Sequence, residues 1–195
     1  DFNIKTGELN NGLDEKSMLD SLRNASKKGR VAMVFIESPA NPTNSLVDIG
    51  ALSRVLDIIK SETGHRPISV CDNTLMGPIF QQVVPQGIDI AMYSLTKYVG
   101  GHSDLVAGAV CGSIEMLRPV RATRGMLGLT LDPHSSWMIS RSLETLNIRM
   151  QRSADSGYKV AKWINDNLYI PAKVLHPDFI EDEVYQSVYK RQCSG

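Results

Sequence analysis

The sequence predicts an α/β fold with a mostly parallel central sheet, and two observations lead to that prediction. Short, nearly continuous apolar runs of the kind found in strands buried on both faces recur along the first half of the chain. Segments with the apolar spacing of amphipathic helices alternate with these runs. Strands that alternate with helices form parallel sheets, and 195 residues suffice for one domain with a proper core without excluding two.

The elements can be assigned in order from local signals. Asp14 and Asp48 each precede a stretch with helical spacing, where an acidic side chain caps a helix N-terminus. Gly64 follows the second of these stretches, as expected of a helix end. The predicted elements are a helix at 13–24, a strand at 31–37, a helix at 49–63, strands at 68–72, 88–94 and 106–111, and helices at 137–150 and 154–167. No closing element is expected at 185–195.

Composition excludes several classes of function. Lys+Arg and Asp+Glu are equal at 21 each, so the net charge gives no reason to expect a nucleic acid or an anionic membrane as partner. No apolar run is long enough to span a bilayer, and no signal-peptide pattern opens the chain. The three cysteines form no metal-ligand or disulfide pattern, so we expect no metal site and a reducing, cytoplasmic location.

Polar residues of the right chemistry follow the predicted strands. Glu37, Asp72 and the segment 94–97 all lie at carboxyl ends of strands, where ligands collect in open α/β sheets. The Lys97 amine can add to an aldehyde, and the Ser94 and Thr96 hydroxyls can donate to a phosphate. Taken alone, Lys97 is more often a solvated lysine and Asp72 a turn residue.

Four ordered segments resemble one family. They are residues 37–43 (ESPANPT), 72–74 (DNT), 94–98 (SLTKY) followed by 101–104 (GHSD), and 141–146 (RSLETL) with 149–150 (RM). In this order and spacing they resemble the Cys/Met-metabolism family of pyridoxal 5′-phosphate (PLP) enzymes, which includes cystathionine γ-lyase, cystathionine γ-synthase and methionine γ-lyase.

The resemblance implies a role for each candidate site residue. Lys97 would form the Schiff base with PLP and shuttle protons between substrate carbons. Asp72 would pair with the protonated pyridine nitrogen, and Ser94 and Thr96 would hold the phosphate. Asn41 would contact the cofactor's 3-oxygen, and the neighbouring Glu37 would support that region.

The resemblance also implies an architecture. We expect the large domain of the aspartate-aminotransferase-like, fold type I PLP enzymes, with the chain a fragment of a longer protein. Residues 1–167 would be part of the PLP-binding domain with its trailing helices, and 168–195 the start of a C-terminal small domain. The family implies a homotetramer, built as a dimer of dimers that share active sites.

The implied activity is α,γ-elimination on a small amino-acid substrate, cystathionine or methionine. One alternative is a γ-replacing transferase of the cystathionine γ-synthase or O-acylhomoserine sulfhydrylase type. A second is an inactive paralogue that serves as an assembly partner. Leu75, Gly77 and Leu95 depart from the residues usual in the family, so the cofactor is better specified than the substrate.

Overall fold

The computed structural model describes residues 4–167, 169 and 172–194, which form four strands, seven α-helices and a short 3-10 helix at Pro177–Phe179. The strands are β1 (Met33–Glu37), β2 (Ile68–Asp72), β3 (Ile90–Ser94) and β4 (Gly108–Gly112). The helices are α1 (Glu15–Ser26), α2 (Ile49–Thr63), α3 (Gly77–Phe80), α4 (Ile114–Leu127), α5 (Pro133–Leu143), α6 (Leu146–Asp166) and α7 (Glu183–Gln192).

The helices of the N-terminal half begin and end where local signals place them. The Asp14 carboxylate accepts hydrogen bonds from the backbone N–H groups of Lys16 and Ser17 at the start of α1. The Asp48 carboxylate accepts one from the N–H of Ala51 at the start of α2. Gly64 ends α2 with φ of 75°, a left-handed conformation that glycine adopts without a steric penalty. The predicted boundaries of these two helices are therefore confirmed to within a few residues.

The sheet has the strand order β1-β2-β3-β4. β1, β2 and β3 run parallel, and β4 pairs antiparallel with β3, so the predicted mostly parallel sheet is confirmed. The reversal of β4 has a simple cause. A parallel return requires a crossover connection, whereas the segment from 95 to 107 forms turns and contains no helix.

The two faces of the sheet differ in how they are covered. α1 and α2 pack on the face that presents Val34, Ile36, Cys71 and Ala91, which we call the helix-covered face. The opposite face carries Met33, Phe35, Glu37, Asp72 and Ser94, because residues matched in a parallel register point to the same side. We call this the site face. Met33 and Phe35 on it are 53% and 54% exposed.

The helices of the C-terminal half differ from those predicted. The predicted helices imply one break at 151–153, but α5 ends at Leu143 and α6 runs without interruption from Leu146 to Asp166. The break arises because the Arg149 guanidinium donates to the Ser142 carbonyl at 2.8 Å, and the Thr145 N–H donates to the same oxygen at 3.3 Å. That carbonyl belongs to the last turn of α5, where a helix leaves its acceptors unsatisfied.

Three further helices, α3, α4 and α7, were not expected. α4 follows β4 directly and is capped by the Ser113 hydroxyl, which accepts from the N–H of Met116. α7 occupies the terminal segment that was predicted to lack a closing element, and the Asp182 carboxylate caps it at the N–H of Tyr185. Within the ranges that the structure describes, no helix is both long enough and apolar enough to cross a bilayer.

Candidate active site

The ends of three neighbouring strands bring the first set of predicted residues together. Glu37 and Asp72 end β1 and β2 and are register partners, and Asp72 is the register partner of Met92 in β3. Ser94 lies two residues beyond Met92 and therefore points to the same face of the sheet. Glu37, Asp72 and Ser94 thus form a row along the carboxyl edge of the site face, as the strand-end rule predicts.

A hydroxyl that sequence reasoning did not single out connects two of these residues. The Thr74 hydroxyl donates to Asp72 Oδ1 at 2.6 Å and accepts from the N–H of Ser94 at 2.8 Å. The N–H of Thr74 also donates to Asp72 Oδ1, at 3.0 Å. Within the described part of the chain, Asp72 Oδ2 makes no hydrogen bond, so one carboxylate oxygen is fixed while the other stays available. The position of Thr74 in the DNT segment was the only signal in the sequence.

Lys97 lies in a tight turn directly after β3. Its N–H donates to the Ser94 carbonyl at 3.2 Å, and its own carbonyl accepts from the N–H of Gly101 at 2.8 Å. The side chain is exposed, and among the described residues its amine makes no hydrogen bond or ion pair. Lys97 therefore presents a free amine on a backbone that is held firmly.

Arg149 supports the far side of this turn. Its guanidinium donates to the carbonyls of Tyr98 and Val99, at 2.6 and 3.0 Å. A Cβ at Gly101, where φ is +80°, would lie 2.1 Å from Arg149 Nη1, so a side chain there would collide with the guanidinium. Its partners are backbone carbonyl oxygens and the Thr145 hydroxyl, not acidic side chains. The segment at 149–150 was part of the family resemblance, yet its contact with the Lys97 turn required the three-dimensional structure.

The two predicted phosphate ligands are in different situations. The Thr96 hydroxyl accepts from the N–H of Ala107 at 3.0 Å and donates to the carbonyl of the same residue at 3.3 Å. Ser94 is half-buried, and its hydroxyl makes no hydrogen bond to any residue that the structure describes. Ser94 is therefore ready to donate to a phosphate, whereas Thr96 would first have to release the Ala107 carbonyl.

Glu37 and Asn41 are joined by the loop between β1 and α2. Glu37 Oε1 accepts from the N–H of Asn41 at 3.2 Å, and both side chains are exposed. A shallow cavity of about 350 Å³ lies beside Glu37 and Phe35, with Glu8 on its other wall. Its lining, as far as the chain is described, includes neither Lys97 nor Asp72, so we place the candidate site at the strand ends and not in this cavity.

A buried thiol lies next to Asp72. Burial raises the pKa of Cys71 to about 12, and the neighbouring Asp72 carboxylate adds to that rise. Cys71 therefore stays protonated at neutral pH and is a packing residue, not a nucleophile. Over the described ranges, no group of three or more His, Cys, Asp or Glu side chains is arranged to hold a metal ion.

Gly77, one of the departures from the family pattern, has a structural reason. Its φ is +56°, and a Cβ there would lie 2.9 Å from the Cε of Met150. A side chain at this position would therefore be strained and would also displace Met150 from the cluster that it forms with Met76, Phe80 and Leu146.

Comparisons with known proteins identify the family to which the chain is similar. The family model described as "Cys/Met metabolism PLP-dependent enzyme" matches residues 4–195. Human cystathionine gamma-lyase is 36% identical over 167 residues, which are 84% of this chain and 39% of that protein. Cystathionine gamma-synthase 1 of Arabidopsis thaliana is 31% identical over 180 residues, 89% of this chain and 30% of that protein.

A solved structure has the same fold. The crystal structure of apo CalE6, a methionine gamma lyase from Micromonospora echinospora, superposes with a TM-score of 0.82 at 26% sequence identity. The match covers 98% of this chain and 49% of that one. The chain therefore spans half or less of the length of these relatives, and the expected fold type I architecture is confirmed over the part it shares with them.

Proposed function

This chain belongs to the Cys/Met-metabolism family of PLP-dependent enzymes, and on that premise we propose that it carries the Lys97–Asp72 half of a PLP site that cleaves a carbon–sulfur bond in an amino-acid substrate. The observation that carries the proposal is the shared edge of the sheet. There the Lys97 amine, Asp72 Oδ2 and the Ser94 hydroxyl, none of which has a hydrogen-bond partner among the described residues, lie at the ends of neighbouring strands. The chain spans half or less of the length of its relatives. The activity of the whole protein is therefore a proposal too.

The donors at this edge fit the chemical groups of PLP. An aldehyde requires an amine, and Lys97 has one without an ion-pair partner in the described residues. A protonated ring nitrogen requires an acceptor, and Asp72 has Oδ2 available because Thr74 occupies Oδ1. A dianionic phosphate requires donors, which the Ser94 hydroxyl supplies, with Thr96 as a second if it releases Ala107. Asn41, positioned by Glu37, would contact the 3-oxygen.

Each residue then has a defined task. When bound, PLP supplies the electron sink that makes the protons on the substrate's Cα and Cβ acidic. The Lys97 amine removes the proton from Cα and later returns a proton to the substrate carbons. Asp72 would accept from the protonated ring nitrogen through Oδ2, the oxygen that Thr74 leaves available, and would so maintain the sink. The Thr74 hydroxyl connects Asp72 Oδ1 to the backbone N–H of Ser94. It therefore keeps the carboxylate at a fixed distance from the end of β3, the strand that leads to Lys97.

We propose α,γ-elimination as the reaction, with cystathionine or methionine as substrate. Water would complete the reaction, and the products would be a thiol, ammonia and a four-carbon α-keto acid. The names of the human relative and of the superposed structure support this choice, since both are γ-lyases. The likeness to a plant γ-synthase supports γ-replacement by a thiol nucleophile as the second candidate. An inactive paralogue is the third, and the presence of both Lys97 and Asp72 argues against it.

The full-length protein provides the test. It should take up PLP and turn yellow. It should then release ammonia and an α-keto acid from methionine or cystathionine when no second substrate is added. Formation of a new thioether from an O-acylhomoserine and a thiol, without ammonia release from methionine, would select γ-replacement instead. A full-length protein that retains no PLP absorption after incubation with PLP and removal of the unbound cofactor would overturn the proposal.

The expected assembly and domain division remain proposals. We propose a cytoplasmic homotetramer whose dimers share active sites, with residues 168–195 beginning the C-terminal domain. The exposure of Lys97 and Asn41 supports shared sites, since a site open on this side leaves room for groups from another subunit. Light scattering of the full-length protein should give the mass of four chains.

A further inference from the structure

A network of buried polar residues, joined by hydrogen bonds, adjoins the candidate site. Among the described residues, the fully buried polar side chains include Ser38, Asn73, Gln81 and Gln192, which are between 0% and 5% exposed. All four are in one hydrogen-bonded group. Ser38 directly follows Glu37, and Asn73 directly follows Asp72, so two members of the group adjoin candidate site residues.

Gln81 is at the centre of this group. Its Nε2 donates to the Ser38 carbonyl at 2.6 Å and to Asn73 Oδ1 at 2.9 Å. Its Oε1 accepts from Gln192 Nε2 and from the Cys193 thiol, both at 3.1 Å. Both amide hydrogens and both lone pairs of the carbonyl oxygen are therefore used, the full capacity of a glutamine side chain.

The outer members of the group connect to the backbone of the site. Asn73 Nδ2 donates to the carbonyls of Gly77 and Gln81, at 3.0 and 2.8 Å, which fixes the loop that begins at Asp72. The Ser38 hydroxyl accepts from the N–H of Val47 and so closes the loop that carries Asn41. At the other end, Gln192 Oε1 accepts from the N–H of Ile49 in the first turn of α2.

We propose that Gln81 is a positioning residue, which holds the Asp72 loop and the Glu37–Asn41 loop at a fixed separation and links both to the end of α7. The inference rests on the proposed function, since the two loops matter for chemistry only where they hold PLP. Gln81 touches neither Asp72 nor Asn41 directly, and acts through the Asn73 side chain and the Ser38 carbonyl. A buried and fully satisfied amide has few alternative arrangements, because any movement leaves a polar atom unpaired.

The test compares Gln81→Met with a matched control. Methionine has a similar volume and cannot form these hydrogen bonds. Ser69→Ala is the control. Ser69 is buried like Gln81, at 0% against 1% exposed, and its hydroxyl donates to Asp89 Oδ2 at 2.8 Å, but it lies on the helix-covered face of β2. Both variants should lower the melting temperature of the full-length protein. Only Gln81→Met should disturb both loops.

Three measurements on the full-length protein report on the loops. Hydrogen exchange without PLP should speed up at the amides of Ser38, Asn73 and Thr74 together in Gln81→Met. The dissociation constant for PLP should rise about tenfold, or about 1.4 kcal/mol. The pH midpoint of the holoenzyme's visible band should shift, because that midpoint depends on the placement of Asp72. Ser69→Ala should leave all three at their parent values.

Gln192→Met keeps the experiment decisive if Gln81→Met does not fold. This variant removes a donor to Gln81 from the end of α7 and leaves both bonds from Gln81 to the loops in place, so the same changes are expected at smaller size. Parent exchange rates at both loops in either folded variant would overturn the proposal. The exchange measurement requires no cofactor, so it is independent of PLP uptake, the result on which the proposed function depends.

Discussion

The two faces of the same sheet are organised for different purposes. On the helix-covered face, Val34 and Ile36 of β1 are 6% and 5% exposed beneath α1 and α2, where Leu52 and Leu56 are fully buried. On the site face, the alternate residues Met33 and Phe35 are more than half exposed, and Glu37 and Asp72 follow in the same row. Neighbouring residues in one strand therefore serve stability and chemistry separately, because successive side chains point to opposite faces.

The difference shows which changes the molecule tolerates. A substitution beneath α1 and α2 should lower the free energy of unfolding, whereas one along the carboxyl edge of the site face should weaken the binding of PLP. Effects on stability should therefore be largest on the helix-covered face, and effects on cofactor binding on the site face.

The largest expected effect is at Lys97. Lys97→Ala should abolish borohydride-trapped labelling of the full-length protein by PLP, because no other amine is expected to form the Schiff base. Lys60→Ala is the control, since Lys60 is an exposed lysine in the last turn of α2, on the other side of the sheet. Mass spectrometry of the labelled peptides is the measurement. Retained label in Lys97→Ala would assign the Schiff base to a different lysine.

The second effect concerns packing. Leu52→Ala should lower the free energy of unfolding by about 2–5 kcal/mol, since Leu52 is 0% exposed and a cavity would remain. Phe35→Ala should cost about 1 kcal/mol, because roughly half of that side chain is already in water. Urea denaturation of the 195-residue chain measures both. Equal costs would mean that something covers the site face in solution.

A smaller effect is expected at Thr74. Thr74→Val removes the hydroxyl that joins Asp72 Oδ1 to the N–H of Ser94, two bonds of about 1 kcal/mol or less each. The dissociation constant for PLP should rise about five- to tenfold. Thr74→Ser retains the hydroxyl and should bind PLP like the parent. Weak binding by the serine variant as well would point to the lost methyl group and not to the hydrogen bonds.

The smallest effect is a loss of stability at alkaline pH. Burial raises the pKa of the Cys71 thiol from 9.0 to about 12, so the folded state keeps a proton that the unfolded state releases. The contribution to stability is complete below pH 9 and is lost progressively between about pH 9 and pH 12.

Urea denaturation at pH 8 and pH 10 should show this loss in the parent and a smaller one in Cys71→Ala. Cys111→Ala is the control, because Cys111 is an exposed free thiol. The same decline in Cys71→Ala as in the parent would exclude this thiol as the cause.

Local signals explain how much of the fold was predictable. Asp14, Asp48 and Gly64 set the ends of α1 and α2 through contacts within a few residues, so the sequence was sufficient there. The break between α5 and α6 was not predictable, because it depends on Arg149 reaching the Ser142 carbonyl. The direction of β4 was also missed, since it depends on the conformation of the turn-rich segment that precedes it.

The candidate site likewise has features that the sequence predicts and features that only the three-dimensional structure shows. The row of Glu37, Asp72 and Ser94 follows from strand ends alone, a rule that needs no detailed structure. The bridge at Thr74 requires the pairing of β2 with β3. The contact between Gln81 and Gln192 joins residues 111 positions apart, and nothing in the local sequence indicates it.

Arg149 shows why part of the helical region and the candidate site cannot be altered independently. One planar guanidinium binds the Ser142 carbonyl that ends α5 and the Tyr98 and Val99 carbonyls that follow Lys97. A lysine has a single charged nitrogen and cannot reproduce that fork of donors. Any redesign of the α5–α6 corner that moves this side chain therefore also changes the orientation of the turn that presents Lys97, even though the corner contributes no atom to the site itself.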